Sequence, residues 1–220
     1  MQSWDVINEP IQTSGRSGML RKSVFTEKIG PEFLDIAFHT AREADSKALL
    51  TLNEYGTEYN IPDHLRKRRE LLNLIDGFKS RGTPIDAIGI QSHLSTGRAA
   101  ETDQESIAGF FKEISDRGLK IMLTELDVVD RASPGDIATR DREVAQLYKR
   151  YLDAALENRA VIAVVTWGLT DKDSWITRGD DPKFRRQDGL PARPLPFDDH
   201  FRRKPAYEAI AAALQAAPSR

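Results

Sequence analysis

Five short apolar runs of this 220-residue chain each lead into a cluster of polar or aromatic side chains that could do chemistry. The clusters are Asn8-Glu9, Asn53-Glu54-Tyr55, Gln91-Ser92-His93, Thr124-Glu125-Leu126-Asp127, and Trp167 with the stretch Asp171-Lys172-Asp173-Ser174-Trp175. One such cluster caps a loop as readily as it builds a site, whereas five in the same place relative to their runs point to a site. Glu9 and Glu125 have no Arg or Lys beside them in the sequence, and an unpaired carboxylate at the end of an apolar strand is costly to bury. Two carboxylates with aromatic platforms suit glycoside hydrolysis. One carboxyl must stay protonated to donate to the leaving oxygen, and the other must stay ionised at the anomeric carbon. Trp167 and Trp175 could stack on sugar faces, although core packing is the commoner fate of a tryptophan.

The elements that must position these residues alternate. Near-continuous apolar runs at 3–8, 48–53, 87–92, 120–124 and 161–167 read as parallel strands covered on both faces. Helix-period stretches at 32–44, 62–79, 103–116, 140–157 and 205–216 separate and follow them. In the first of these, Pro31 suits a first turn, and Phe33, Ile36, Ala37 and Thr40 are expected to form the packed face. The alternation is an α/β signal, and in such folds the site assembles at the C-terminal ends of the strands. The stretch 170–201 reads as a long irregular loop, functional or flexible. The chain reads as one domain, 1–220.

Other features exclude function classes. Lys plus Arg is 32 and Asp plus Glu is 34, so a net charge of −2 provides no basic field for nucleic acid or an anionic membrane. No apolar run approaches the ~20 residues of a membrane span. There is no cysteine, hence no disulfide, thiolate metal site or Cys nucleophile. No metal-ligand spacing or phosphate-loop pattern occurs, so neither metal nor cofactor is expected; Gly15 and Gly18 beside Arg16 form no such loop. His39 reads as structural and His64 as solvated. The run Arg66-Lys67-Arg68-Arg69 reads as a solvated helix face. The first residues show neither a basic n-region nor an apolar h-region.

With these residues in hand, the chain resembles glycoside hydrolase family 10, the retaining endo-β-1,4-xylanase family. The resemblance rests on WDVINE (4–9), LNEYG (52–56), IDAIGIQSHL (85–94), TELDV (124–128), TWGLTDKDSW (166–175) and the ending LPFDDHFRRKPAYEAI (195–210). It implies a role for each matching residue. Glu9 would be the general acid/base and Glu125 the nucleophile. Asn8 would bind a sugar 2-hydroxyl, Gln91 and His93 would hold the nucleophile, and Asp127 would orient His93. Trp167 and Trp175 would wall the −1 subsite, and Tyr55 would lie on the leaving-group side. An apolar wall around Glu9 would favour its protonated form. The implied ligand is xylan or a xylo-oligosaccharide, and the implied location is extracellular or periplasmic.

The resemblance also implies a (β/α)8 TIM-barrel type of fold, N-terminally truncated to about five βα units, because WDVINE falls on the family's fourth strand. Such a piece would expose two strand edges, 4–8 and 161–167. A homo-oligomer covering the open side is the expected remedy. An assembly-dependent, non-catalytic carbohydrate-binding fragment of the same fold is the alternative to an active xylanase.

Overall fold

The computed structural model describes residues 2–12, 20–179 and 183–219; Gly15, Arg16 and Gly18 lie outside them. Six strands form one all-parallel sheet, with helices along its outer face. The strands are β1 (Ser3–Asn8), β2 (Leu49–Glu54), β3 (Ala87–Ile90), β4 (His93–Ser95), β5 (Lys120–Val129) and β6 (Val161–Thr166). The helices are α1 (Val24–Lys28), α2 (Phe33–Ala44), α3 (Pro62–Arg81), α4 (Gln104–Asp116), α5 (Ile137–Leu156), α6 (Trp175–Arg178) and α7 (Pro205–Ala216). The pairings run β1–β2, β2–β3, β3–β5 and β5–β6, with β4 alongside the far half of β5. β3 and β4 are one strand position broken at Gln91-Ser92. Five parallel positions with outer helices form an arc of a (β/α)8 barrel.

Period-2 burial explains the arc. Leu50, Leu52, Ile88, Ile90, Ile121 and Leu123 are fully buried against Phe38, Leu71, Ile75, Phe78, Ile114 and Leu152 of the helices. The alternate positions face inward as Thr51, Asn53, Gly89, Met122 and Thr124, a polar layer in contact through Thr51 Oγ1 to Met122 Sδ and Thr124 to Asn53. The central strands β2, β3 and β5 are covered, as expected. β1 and β6 are not: Trp4 and Val165 are each 45% exposed, and no strand among the described residues pairs with their outer edges.

Several expectations need correction. The third strand does not run through 87–92, because Ser92 has φ 65°, a left-handed conformation that interrupts the ladder before β4 resumes. The fourth strand extends through Val129, because its far half pairs with β4. In α2 the buried face is Leu34 and Phe38, while Ile36 is exposed; Pro31 precedes the helix, and His39 is exposed. Arg66-Lys67-Arg68-Arg69 is not a solvated face: Lys67 and Arg68 are buried under the β2–α3 connection. Arg68 donates to Thr57 O and to Ser106 O and Oγ and lies over the Phe110 ring. The stretch 170–201 is held at several points among its described residues, 170–179 and 183–201. Asp171 meets Lys204 at 2.9 Å and accepts the Leu195 N–H, and Arg193 grips Asp141 through two hydrogen bonds. No helix among the described residues is long and apolar enough to cross a membrane.

Candidate active site

The strand ends converge on a cleft of about 770 Å³ whose walls include Glu9, Tyr55, Gln91, His93, Glu125, Trp167 and Trp175. Backbone irregularities aim the two carboxylates. Glu9 follows β1 at φ 54°, held there by its N–H to Asn53 O at 2.9 Å. A non-glycine residue in that region carries strain of order 1–3 kcal/mol, which the surrounding structure must impose. Glu125 lies where the β5–β6 register slips between Leu123 and Leu126. Such a bulge re-aims side chains at the rim of a sheet.

A chain of amides joins the carboxylates. Gln91 Nε2 donates to Glu9 Oε1 at 3.1 Å and to Asn8 Oδ1 at 3.2 Å. Asn53 Nδ2 donates to that same Asn8 oxygen at 3.0 Å and to Glu125 Oε1 at 2.7 Å. The Asn53 oxygen accepts from Thr124 Oγ1 at 2.6 Å, which sets the orientation of its amide. Gly89 makes room for it, since a Cβ there would lie 2.4 Å from Asn53 Oδ1.

Glu125 is held from its other side. His93 Nε2 lies 3.3 Å from Glu125 Oε2, and His93 Nδ1 lies 2.8 Å from Asp127 Oδ1. The second oxygen of Asp127 accepts from Trp175 Nε1 at 2.7 Å, and the Trp175 ring meets His93 edge-on at 5.3 Å. Burial alone would push the His93 pKa down. Its hydrogen bonds to Asp127 and Glu125, with their charges, outweigh this and raise it to about 10. His93 is therefore a cation wedged between two carboxylates.

This has a consequence for stability. An unfolded-chain histidine loses its proton near 6.5, so between 6.5 and about 10 the folded state keeps a proton that the unfolded state has lost. The contribution is fully present below 6.5 and lost as pH rises through about 10. Urea unfolding at pH 6, 8 and 10 is expected to show a decline in stability that His93→Gln flattens; an unchanged slope in the variant would show that His93 is not the cation.

Sequence reasoning and geometry part in four places. His93 reaches Glu125 and Asp127 as expected, but the Gln91 side chain holds Glu9 and Asn8. Only the Gln91 backbone carbonyl touches Glu125, accepting its N–H at 3.0 Å. Where an apolar wall around Glu9 is expected, the partners among the described residues are polar: Glu9 is ion-paired with Arg21 and reached by Gln91. His64 is not solvated: it is part-buried at the cleft. Asn53, which bridges Asn8 and Glu125, has no expected role in the sequence, although Asn-Glu at the end of 3–8 and again at the end of 48–53 is a visible signal. Behind the site, Lys67 Nζ sits 2.7 Å from Glu54 Oε1 and 3.6 Å from the centre of the Tyr55 ring. Glu58 accepts from the backbones of Thr57 and Ser92, and so ties the β2–α3 connection to the β3–β4 break.

Residues 1–213 match the family model of glycosyl hydrolase family 10. The chain belongs to glycosyl hydrolase family 10. One family 10 relative, endo-1,4-beta-xylanase B of Thermotoga neapolitana, is 34% identical over 209 residues, which are 94% of this chain and 54% of the relative. The family 10 fold recurs in the crystal structure of native xylanase 10B from Thermotoga maritima. Its TM-score is 0.82 at 32% identity, covering 97% of this chain and 60% of that one. Xylanase 10B from Thermotoga petrophila in complex with xylobiose gives a TM-score of 0.81 at 31% identity, covering 97% and 60%. The chain thus spans little more than half the length of these relatives.

Proposed function

We propose that this chain carries the catalytic pair of a retaining endo-1,4-β-xylanase, acting on xylan or xylo-oligosaccharides as one domain, 1–220. The observation that carries the reading is the amide-bridged pair: carboxylates from β1 and β5 facing one cleft, each with different partners. Several of its relatives are named endo-1,4-beta-xylanases, and a xylanase of similar fold was solved with xylobiose.

In the first step the Glu9 carboxyl donates its proton to the glycosidic oxygen as the bond from that oxygen to the anomeric carbon breaks. A Glu125 oxygen attacks the same carbon and forms a glycosyl ester. In the second step Glu9, now a carboxylate, takes a proton from water while the water oxygen attacks the carbon and Glu125 departs. Both steps need the carboxyls about 5–5.5 Å apart. His93 and Asn53 donate to the Glu125 carboxylate, stabilising it before attack and as it leaves. Asn8 has its oxygen occupied by two amides, so its Nδ2 is the atom to meet the sugar 2-hydroxyl. Trp167, at 46% exposure, and Trp175 provide the apolar walls, and Tyr55, braced by Lys67, serves the leaving-group side. Release of reducing sugar from xylan, with Glu125→Ala as control, tests the reading: equal silence from both proteins would sink it.

A second proposal concerns assembly. Outer edges left open at β1 and β6 among the described residues, with Trp4, Val165 and Trp167 exposed beside them, favour a homo-oligomer in which another copy covers the open side. Light scattering after size exclusion is expected to give a mass above 24.7 kDa. A stable, folded monomer would reject it, and the same experiment on an active sample separates the xylanase reading from an assembly-dependent, non-catalytic one.

A further inference from the structure

The cleft does not stop at the two carboxylates. It continues past Tyr55 and Gly56 to Tyr59, His64 and Arg98. His64 stands in the first turn of α3 with 18% of its side chain exposed. Its Nδ1 accepts the Tyr59 N–H at 3.2 Å, and its ring packs at a tilt on the Tyr59 ring with centroids 5.1 Å apart. Tyr59 is itself held, because its hydroxyl accepts the Ser95 N–H at 2.6 Å.

An imidazole nitrogen that accepts a hydrogen bond carries no proton, so in the neutral ring the proton sits on the other nitrogen. Burial pushes the His64 pKa down to about 4, with Arg68, Arg98 and Lys67 adding to the effect, so the ring is neutral above that pH. The Glu58 carboxylate lies 3.5 Å from Nδ1, but its oxygens accept the Thr57 N–H at 2.8 Å and the Ser92 N–H at 3.2 Å. The tautomer is thus set by the backbone. No acceptor among the described residues takes the Nε2 proton, and His64 lines the cleft.

We propose that His64 is a specificity-determining donor on the leaving-group side, its Nε2–H binding a hydroxyl or ring oxygen of a sugar beyond the scissile bond. The proposal rests on the glycosidase reading for the direction of the cleft. A fixed donor on a rigid mount discriminates better than a rotating one, because the geometry is set before binding. It favours substrates whose leaving group is itself a sugar over those whose leaving group is a phenol.

Two measurements on the whole chain test this. In long-range 1H–15N spectra at pH 6, His64 is expected as the neutral Nε2–H tautomer, and xylotetraose, but not xylose, is expected to shift its signals. An imidazolium, an Nδ1–H tautomer or no shift with a bound xylotetraose would overturn the proposal. In kinetics, the ratio of kcat/KM for xylotetraose to that for nitrophenyl xylobioside is expected to fall about tenfold in His64→Phe, which keeps the ring against Tyr59 and removes the donor. His64→Gln, which restores an N–H, is expected to recover part of the ratio. An unchanged ratio in both variants overturns the proposal. If the wild type hydrolyses neither substrate yet xylotetraose moves the His64 signals, the catalytic reading falls and the binding role of His64 stands. If it neither hydrolyses nor shifts, both fall.

Discussion

Glu125→Gln is expected to lower hydrolysis of both xylo-oligosaccharides and aryl xylobiosides by about 10⁴-fold or more, while Glu9→Gln separates the two substrates. The nucleophile forms a bond to carbon in every turnover, so no leaving group, however good, can replace it. A loss of 10⁴ is about 5.5 kcal/mol of transition-state stabilisation. A general acid contributes about 10²–10⁴, and only where the leaving oxygen needs a proton. Glu9→Gln should therefore lose about that factor on xylotetraose and far less in the glycosylation step of a dinitrophenyl xylobioside, measured as the pre-steady-state burst of phenol. Each change keeps the side-chain shape, so Gln at position 9 can still meet Gln91 and Gln at position 125 can still meet Asn53. A Glu125→Gln protein that keeps a tenth of the wild-type rate would remove Glu125 from the nucleophile role. A Glu9→Gln protein with equal losses on both substrates would remove Glu9 from the acid role.

Lys67→Met is expected to destabilise the fold by about 3–5 kcal/mol, because it leaves the Glu54 carboxylate buried without its cation. The Glu54 side chain has no exposure and that of Lys67 has 5%. Burial pushes the Glu54 carboxyl up, while Lys67 and the N–H groups of Ile11 and Tyr55 pull against it. The pair thus ties the end of β2 to α3 and to the segment that follows Glu9. For a domain of this size the loss corresponds to a drop in Tm of roughly 6–20 °C. Lys67→Met with Glu54→Gln is expected to recover much of the loss, since removing both charges leaves no lone buried ion. Thermal unfolding of the two proteins and the wild type decides it. If the single variant melts within 2–3 °C of wild type, water or another cation already compensates Glu54.

Much of the arc was legible because parallel strands with apolar outer faces leave near-continuous apolar runs. β1 spans the six residues expected, and α7 begins and ends where its Pro205 and alanine-rich stretch placed it. Boundaries failed where the local pattern was overruled from a distance. The pairing of β4 with the far half of β5 lengthened one strand, and the left-handed Ser92 broke another. Charge is the least legible feature of the sequence. A run of four basic residues looks solvated in a linear reading, yet the β2–α3 connection folds over Lys67 and Arg68, and their partners are Glu54 at the end of β2, Thr57 of the connection and Ser106 of α4.

By itself the sequence determined the α/β class, the family, and which residue types stand at each strand end, because residue type, order and period are written along the chain. Tertiary structure alone decided how those residues meet. It placed Asn53 between Asn8 and Glu125, turned Gln91 towards Glu9, brought Arg21 to a carboxylate that looked unpaired, and made a wedged cation of His93 and a neutral donor of His64. These outcomes depend on distances between residues tens of positions apart, on burial and on the orientation of single amides and rings, and periodicity along a chain carries none of that information.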